Sequence, residues 1–272
     1  MDDGTLAVLE RYALVAHNTA TESTNRIHDD AVAQQLGFRG GLVPGVDVYA
    51  YLAHPPAAAW GIPWLERGTM RARFIEPVYD GDRIEVVPVA SRGGAVGGLE
   101  VHDPRGAVCA RAEASLPAAV PPPDPGGWPE VDQADAPPDA TPAHLVPGTA
   151  MALAPHRFHA DKAGAYLADV REELALYADE GVAHPGWLLR DANYVLSANV
   201  RLGPWIHVES NVRHFDAVRD GDLVSARATV TDEFERRGHR FVTLDVLHLA
   251  GPSGDRPVAR TEHTAIYRPR GT

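Results

Sequence analysis

Apolar and polar positions alternate most regularly toward the C-terminal end of the chain. Val224, Ala226, Ala228 and Val230 alternate with Ser225, Arg227 and Thr229, the period of two that marks a strand with one buried face. Phe241–Leu249 and Val258–Tyr267 alternate likewise, and Gly251-Pro252-Ser253-Gly254-Asp255 between them reads as a turn. Earlier in the chain Arg83–Val89, Leu99–His102 and Val108–Leu116 read as strands, with His102-Asp103-Pro104-Arg105-Gly106 as a turn. Helical spacing occurs in Val46–Ala53, which Pro55 and Pro56 are expected to stop or bend. It recurs in Trp187–Asn199, where Leu188, Leu189, Ala192, Val195 and Leu196 form one apolar stripe. A short helix is expected over Ala31–Leu36, capped by Asp30 and closed by Gly37, and an inserted helix near Ala165–Asp179. One helix followed by an antiparallel meander, given twice, predicts an α+β fold in which a long helix is wrapped by a curved sheet.

Internal repetition supports the same organisation. Arg26-Ile27-His28-Asp29-Asp30-Ala31 is echoed by Arg157-Phe158-His159-Ala160-Asp161-Lys162-Ala163, and Pro63-Trp64-Leu65 by Pro204-Trp205-Ile206. Val78-Tyr79-Asp80-Gly81-Asp82 returns as Val218-Arg219-Asp220-Gly221-Asp222, and Ala110-Arg111-Ala112-Glu113 as Ala259-Arg260-Thr261-Glu262. Matches in one order point to two copies of one unit, over residues 1–116 and 149–272. Between them, residues 117–148 hold ten of the 23 prolines and read as an extended linker. If the copies share one sheet, this linker must travel around or across the first copy to begin the second.

Composition narrows the class. At 272 residues, 44% hydrophobic and 23% charged, the chain can bury one large core or two modest ones. No apolar run is long enough to cross a bilayer, and Met1-Asp2-Asp3-Gly4 lacks the basic start of a secretory signal, so neither membrane insertion nor export is expected. Cys109 is the single cysteine, which excludes an intramolecular disulfide and fits a cytoplasmic protein. A formal net charge of −12 with no basic stripe argues against a nucleic-acid partner.

Asn25-Arg26-Ile27-His28-Asp29-Asp30, followed by Gly37-Phe38-Arg39-Gly40-Gly41-Leu42-Val43-Pro44-Gly45, resembles the signature of MaoC-like, (R)-specific enoyl-CoA hydratases of the hot-dog fold. That pattern reads Asp, one residue, Asn-Pro-x-His-x-Asp, a Gly-Phe segment and a closing His-Gly. The resemblance implies a double hot-dog, two such units fused and sharing one curved sheet. In the family a His and an Asp five residues earlier act as acid and base on an enoyl thioester, and the start of the central helix polarises the thioester carbonyl. By position His28 then stands as the catalytic histidine, Asn25 as its orienting asparagine, and Gly45 with Val46 as the thioester-binding helix start. Ser23 occupies the catalytic aspartate's place, Arg26 follows the asparagine instead of proline, and Pro44 precedes Gly45 instead of histidine. Copy two carries Ala154 and His156 at the aspartate and asparagine positions.

Function at this point stays open between an acyl-thioester-binding protein (CoA- or carrier-linked) with hydratase or dehydratase activity, a non-catalytic acyl-binding or structural protein, and a thioesterase. Glu22 or Asp47 could replace the missing carboxylate, and Asp47 is the group a thioesterase would need. His28 could equally be structural. Arg73 and Arg213, at equivalent strand positions, suit a coenzyme A phosphate or, better, an ion pair between the copies. His156-x-x-His159-x-Asp161 has metal-ligand residue types, but the echo of His28 accounts for His159, so no metal is expected. No cofactor beyond the substrate's own carrier is expected. The expected partner is a small-molecule acyl thioester, with homodimerisation open.

Overall fold

The alternating segments become ten strands of one antiparallel sheet among the described residues. A computed structural model describes residues 8–21, 23–90 and 97–271; Glu22 and Met1–Gly4, named above, lie outside them. In chain order the strands and helices are β1 (Tyr12–Val15), α1 (Asp30–Gln35), α2 (Gly45–Trp60), α3 (Ile62–Arg67), β2 (Thr69–Phe74), β3 (Arg83–Val89), β4 (Gly97–His102) and β5 (Val108–Ser115). There follow β6 (Ala150–Arg157), α4 (Ala163–Asp169), α5 (Leu176–Glu180), α6 (Pro185–Asn199), β7 (Ile206–His214), β8 (Leu223–Arg236), β9 (His239–Ala250) and β10 (Arg256–Arg268).

The sheet runs β1-β3-β4-β5-β2-β7-β10-β9-β8-β6. Read inward from its two edges, the order is the same twice: 1-3-4-5-2 and 6-8-9-10-7. The halves meet where β2 pairs with β7, Arg71 opposite Asn211. Across this seam the ion pair is made by Arg71 with Glu209 (2.5 Å), whereas Arg73 and Arg213, expected to form it, stand opposite Glu209 and Thr69 without closing one.

The two long helices lie against one face of the sheet and against each other. Tyr49, Tyr51, Leu52 and Ala53 of α2 and Ala192, Val195 and Leu196 of α6 are fully buried in one apolar core shared with Met70, Ile84, Leu99, Val224 and Val246. Burying each large side chain is worth roughly 1.5–3 kcal/mol, which explains why α2 does not stop at its prolines. It continues through Pro55 and Pro56, both buried, to Trp60; packing on either side outweighs the lost backbone hydrogen bonds.

Three other expectations change. Asp29, not Asp30, caps α1, its carboxylate accepting from Val32 N (3.0 Å), while Asp30 accepts from Gly41 N (2.7 Å) and ties the following loop. The inserted helix is split into α4 and α5, with Arg171 at φ 57° between them, which turns Glu172 inward. The linker crosses the outer face of the second half, not the first. Trp128 covers Leu247 and Leu249 there, donates to Asp245 O (3.1 Å) and lies under Arg260.

The echoes of the sequence are also unequal. The turns at Gly81 and Gly221 and the strand segments beginning at Ala110 and Ala259 coincide in the two halves. The first echo does not. Phe158 exchanges backbone hydrogen bonds with Gly221 and Asp222 as Ala16 does with Gly81 and Asp82. Ala160 N donates to Asp220 as Asn18 N donates to Asp80. His159 therefore sits at the place of His17, and His28 has no counterpart in the second half.

Candidate functional site

The segment after β1 is built to hold His28. Ile27 is buried with Ala33 and Leu42 and anchors the loop. The His28 carbonyl accepts from Asn18 Nδ2 (3.0 Å), and a Cβ on Gly41 would stand 2.1 Å from that oxygen, so this crossing requires glycine. His28 Nδ1 lies 2.6 Å from Leu42 O. A carbonyl only accepts, so Nδ1 carries the proton and Nε2 is the unprotonated, accepting nitrogen of the neutral ring. Burial lowers the His28 pKa, against the opposing pull of the Leu42 carbonyl and Asp47, which keeps the ring neutral at pH 7.

Asn25 is more committed than an orienting residue. Its Oδ1 accepts from Trp205 N (3.1 Å) and its Nδ2 donates to Trp205 O (3.0 Å), so it clamps the loop onto the backbone of the second half. The same Nδ2 is 3.3 Å from His28 Nε2. Ser23 is exposed and its Oγ accepts from Asn25 N (3.1 Å).

Two adjoining cavities meet at these residues. The inner one, about 250 Å³, is walled mainly by apolar groups including Ile27, Phe38, Val48, Phe74 and Ile206, and reaches Gly45 at the start of α2. The outer one, about 370 Å³, is more polar and includes Ser23, Val46, Arg190 and Tyr194. Asn25, His28, Pro44, Asn193 and Trp205 line both. Thus Ser23, Asn25, His28, Gly45 and Val46 converge on one cleft between the halves. α2 has no side-chain cap at its N-terminus and Asp47 N donates to Pro44 O (2.9 Å), so the N–H groups of Gly45 and Val46 are the ones available to an anion or carbonyl.

Asp47 does not join them. Fully buried, it accepts from Thr19 Oγ1 (2.6 Å) and Arg190 Nη2 (2.8 Å), lines neither cavity and makes no hydrogen bond to His28. Among the described residues no carboxylate is hydrogen-bonded to His28, although Glu76 is on the inner cavity's wall.

The second half repeats the cleft in closed form. Pro185, with no N–H, begins α6 where Gly45 begins α2, and the N-cap His184 fills the helix start by accepting from Gly186 N (3.0 Å). A void lined by Ala183, Pro185, Leu188, His214 and Val218, the counterparts of Val43, Gly45, Val48, Phe74 and Val78, measures about 10 Å³. That is scarcely room for one water. Glu172 lies beneath His184 (3.5 Å) and His54 (2.9 Å); burial raises its pKa, but these two partners win and hold it at about 2. His156 turns to Asp191 (3.1 Å) instead of toward His159, and no cluster of three or more metal-ligating side chains occurs among the described residues.

Sequence reading missed three lining groups from the second half: Trp205, Asn193 and His207. None lies near the hydratase-like motif in the chain. A hint existed only for Trp205, through its echo with Trp64.

Comparisons with known proteins bear on this architecture. No protein-family model and no curated protein matches the chain. Among solved structures, a conserved hypothetical protein from Mycobacterium tuberculosis described as a double hot-dog superposes with a TM-score of 0.60 at 15% identity, covering 94% of this chain and 95% of that one. The chain has the double hot-dog fold. A MaoC-like dehydratase gives a TM-score of 0.59 at 14% identity, covering 96% and 98% of the two chains. A structure described as a thioesterase from Novosphingobium aromaticivorans gives 0.53 at 14%, covering 95% and 96%. At these identities the likeness is one of fold, and dehydratase and thioesterase names share it.

Proposed function

We propose that the protein binds an acyl thioester in the cleft between its halves, the acyl chain in the inner cavity, the carbonyl at the start of α2, and the carrier arm leaving through the outer cavity past Arg190. One observation carries this reading. An apolar cavity, an uncapped helix start and the unprotonated Nε2 of a neutral histidine, steadied by Asn25 Nδ2, line one space of acyl size. A hydration or dehydration step fits the same groups: His28 Nε2 would take a proton from water, leaving hydroxide equivalent to add to the β-carbon, and the helix start would stabilise the enolate. With Ser23 in the aspartate's place, no carboxylate among the described residues is hydrogen-bonded to His28, so we read binding as the principal activity and turnover as slow. The thioesterase reading is weaker, since Asp47 is held by Arg190 and Thr19.

Calorimetric titration with butyryl-CoA and octanoyl-CoA tests the reading, with free CoA as the control. Saturable binding of the acyl forms, abolished by Ile206→Trp in the inner cavity, is expected. Failure of every acyl-CoA and acyl-pantetheine to bind, or binding untouched by Ile206→Trp, would overturn it.

A further inference from the structure

The inner cavity is not a blind pocket. It joins the outer one through a neck formed by Asn25, His28, Pro44, Asn193 and Trp205, none of which is exposed. The outer cavity reaches solvent beside its exposed lining residues, Ser23, Thr24, Tyr194 and Ser197. None of these lines the inner cavity, whose own exposed lining residues are Ile75 (45% exposed) and Glu76. Among the described residues the two cavities therefore form one passage with two mouths, the outer mouth polar and the inner one carrying an exposed isoleucine.

Backbone hydrogen bonds fix the inner mouth. Ile75 N (2.8 Å) and Glu76 N (3.0 Å) both donate to Cys109 O, and Val43 N donates to Val78 O (2.9 Å), which ties the segment after β2 at both ends. Phe38, on the same cavity wall, is held by its own N–H to Ala33 O (3.0 Å) and by Arg39 N donating to Tyr79 Oη (3.2 Å). The second half shows how such a mouth is shut. Phe215 N (2.8 Å) and Asp216 N (3.3 Å) both donate to Val258 O, so they stand where Ile75 and Glu76 stand. Both are half-buried, and Asp216 is ion-paired with Arg256, two residues before Val258. Two residues before Cys109 stands Ala107, so the cation that ties Asp216 has no counterpart at Glu76.

At roughly 30 Å³ per group of water or methylene size, about 250 Å³ takes on the order of eight chain atoms. With its thioester at the neck, an acyl chain of that length fills the inner cavity, and a longer one is either refused or leaves by the second mouth. We propose that the protein takes long-chain acyl thioesters, the distal end of the chain passing out beside Ile75 while the carrier arm leaves by the outer mouth. The proposal rests on the thioester reading and names its substrate class. It gives the exposed Ile75 a task, since emerging methylenes find an apolar surface there instead of water.

Two measurements test it separately from that reading. In calorimetric titration with butyryl-, octanoyl-, dodecanoyl- and hexadecanoyl-CoA, affinity should rise by up to about fourfold per methylene as far as octanoyl and then level without falling. A fall of about tenfold or more from octanoyl- to hexadecanoyl-CoA would mean a closed end and overturn the proposal. The exit is located with 12-iodododecanoyl-CoA, whose terminal carbon is alkylating. It should modify Ile75→Cys, the thiolate displacing iodide, and leave Ser197→Cys at the outer mouth unmodified, as read by peptide mass mapping; excess dodecanoyl-CoA should suppress the reaction. Alkylation of Ser197→Cys, or of neither variant, would overturn the exit at Ile75 while leaving acyl binding intact. Failure of every acyl-CoA to bind the wild type would instead overturn the thioester reading, and the chain-length proposal with it.

Discussion

Acid should loosen this fold well before its carboxylates titrate. His214, His248 and His263 are buried, and each has one ring nitrogen with no partner: Nε2, Nδ1 and Nε2 respectively. Burial pushes the pKa of His214 down to about 4, and those of His248 and His263 to about 3, from the ordinary 6.5. In the unfolded chain each takes a proton near 6.5; in the folded chain it refuses one until far lower pH. The unfolded state therefore binds more protons throughout that window, so these groups favour folding fully above 6.5 and progressively less as pH falls toward 3. At about pH 5.5 each contributes a loss of roughly 1 to 2 kcal/mol, and the three together about 4 kcal/mol. His28, His184 and His207, also pushed down by burial, add in the same direction. His156, raised by Asp191, acts oppositely but is part-exposed and weak. Against a total stability of roughly 5–15 kcal/mol this is a large fraction, on the order of 10 °C in Tm. Urea or thermal unfolding followed by circular dichroism at pH 7.5, 6.5 and 5.5 measures it. His248→Gln, which keeps a partner for Thr261 Oγ1, should flatten the slope by about a quarter to a third. Equal stability across this range, or an unchanged slope in His248→Gln, would refute the claim that these rings are buried and neutral.

Three further perturbations have definite outcomes. Arg190→Met leaves Asp47 buried without its cation and should cost about 3–5 kcal/mol in urea unfolding, most of it recovered in Asp47→Asn/Arg190→Met. Asn25→Ala strands the Trp205 N–H and C=O; it should cost roughly 1–3 kcal/mol and broaden the His28 ring resonances, because the clamp joining loop to second half is gone. Ser23→Asp should raise hydration of crotonyl-CoA, followed as loss of the enoyl absorbance, by up to roughly 10²-fold, and His28→Ala should abolish the gain. Strong wild-type turnover lost in Glu76→Gln would show that Glu76, already on the cavity wall, replaces the missing aspartate.

Much of the fold was legible because its causes are local. Alternation placed β3, β5, β9 and β10 within two residues of their ends, and the start of β8, which runs on past Val230 to Arg236, since each buries one face against a single core. Pro55 and Pro56 misled because tertiary burial of the surrounding helix outweighs a local penalty, which no window of sequence displays. The echo of Arg-x-His-x-Asp misled for another reason: short motifs coincide by chance, and only hydrogen-bond equivalence reveals that His159 stands where His17 does. For the site, one wall was readable. His28, Asn25 and Gly45 lie within one short stretch and carry the family-like spacing. His207, Asn193 and Trp205 reach the same cavity from the other half, across a seam that exists only once β2 pairs with β7.

That seam decides how many ligands one chain can hold. Two fused copies of one unit would offer two helix starts and hence two sites by symmetry. Here one start has been closed from within. Pro185 removes an N–H, His184 occupies the remaining first-turn donor through Gly186 N, and the void beside them is about 10 Å³ against about 250 Å³ in the first half. The rings of Tyr177 (4.7 Å) and Tyr166 (5.7 Å) pack on His184, and Glu172 ties it toward His54, so opening this end would break a buried polar cluster rather than move a loop. The second half has thereby become a wall for the first half's site, lending Trp205, Asn193 and His207. Acyl-CoA titration should accordingly give one ligand per chain. His28→Ala should leave that count unchanged, while Ile206→Trp should bring it to zero. A count of two in the wild type, or one ligand still bound in Ile206→Trp, would mean that the second helix start opens to ligand and that the halves do not divide the work in this way.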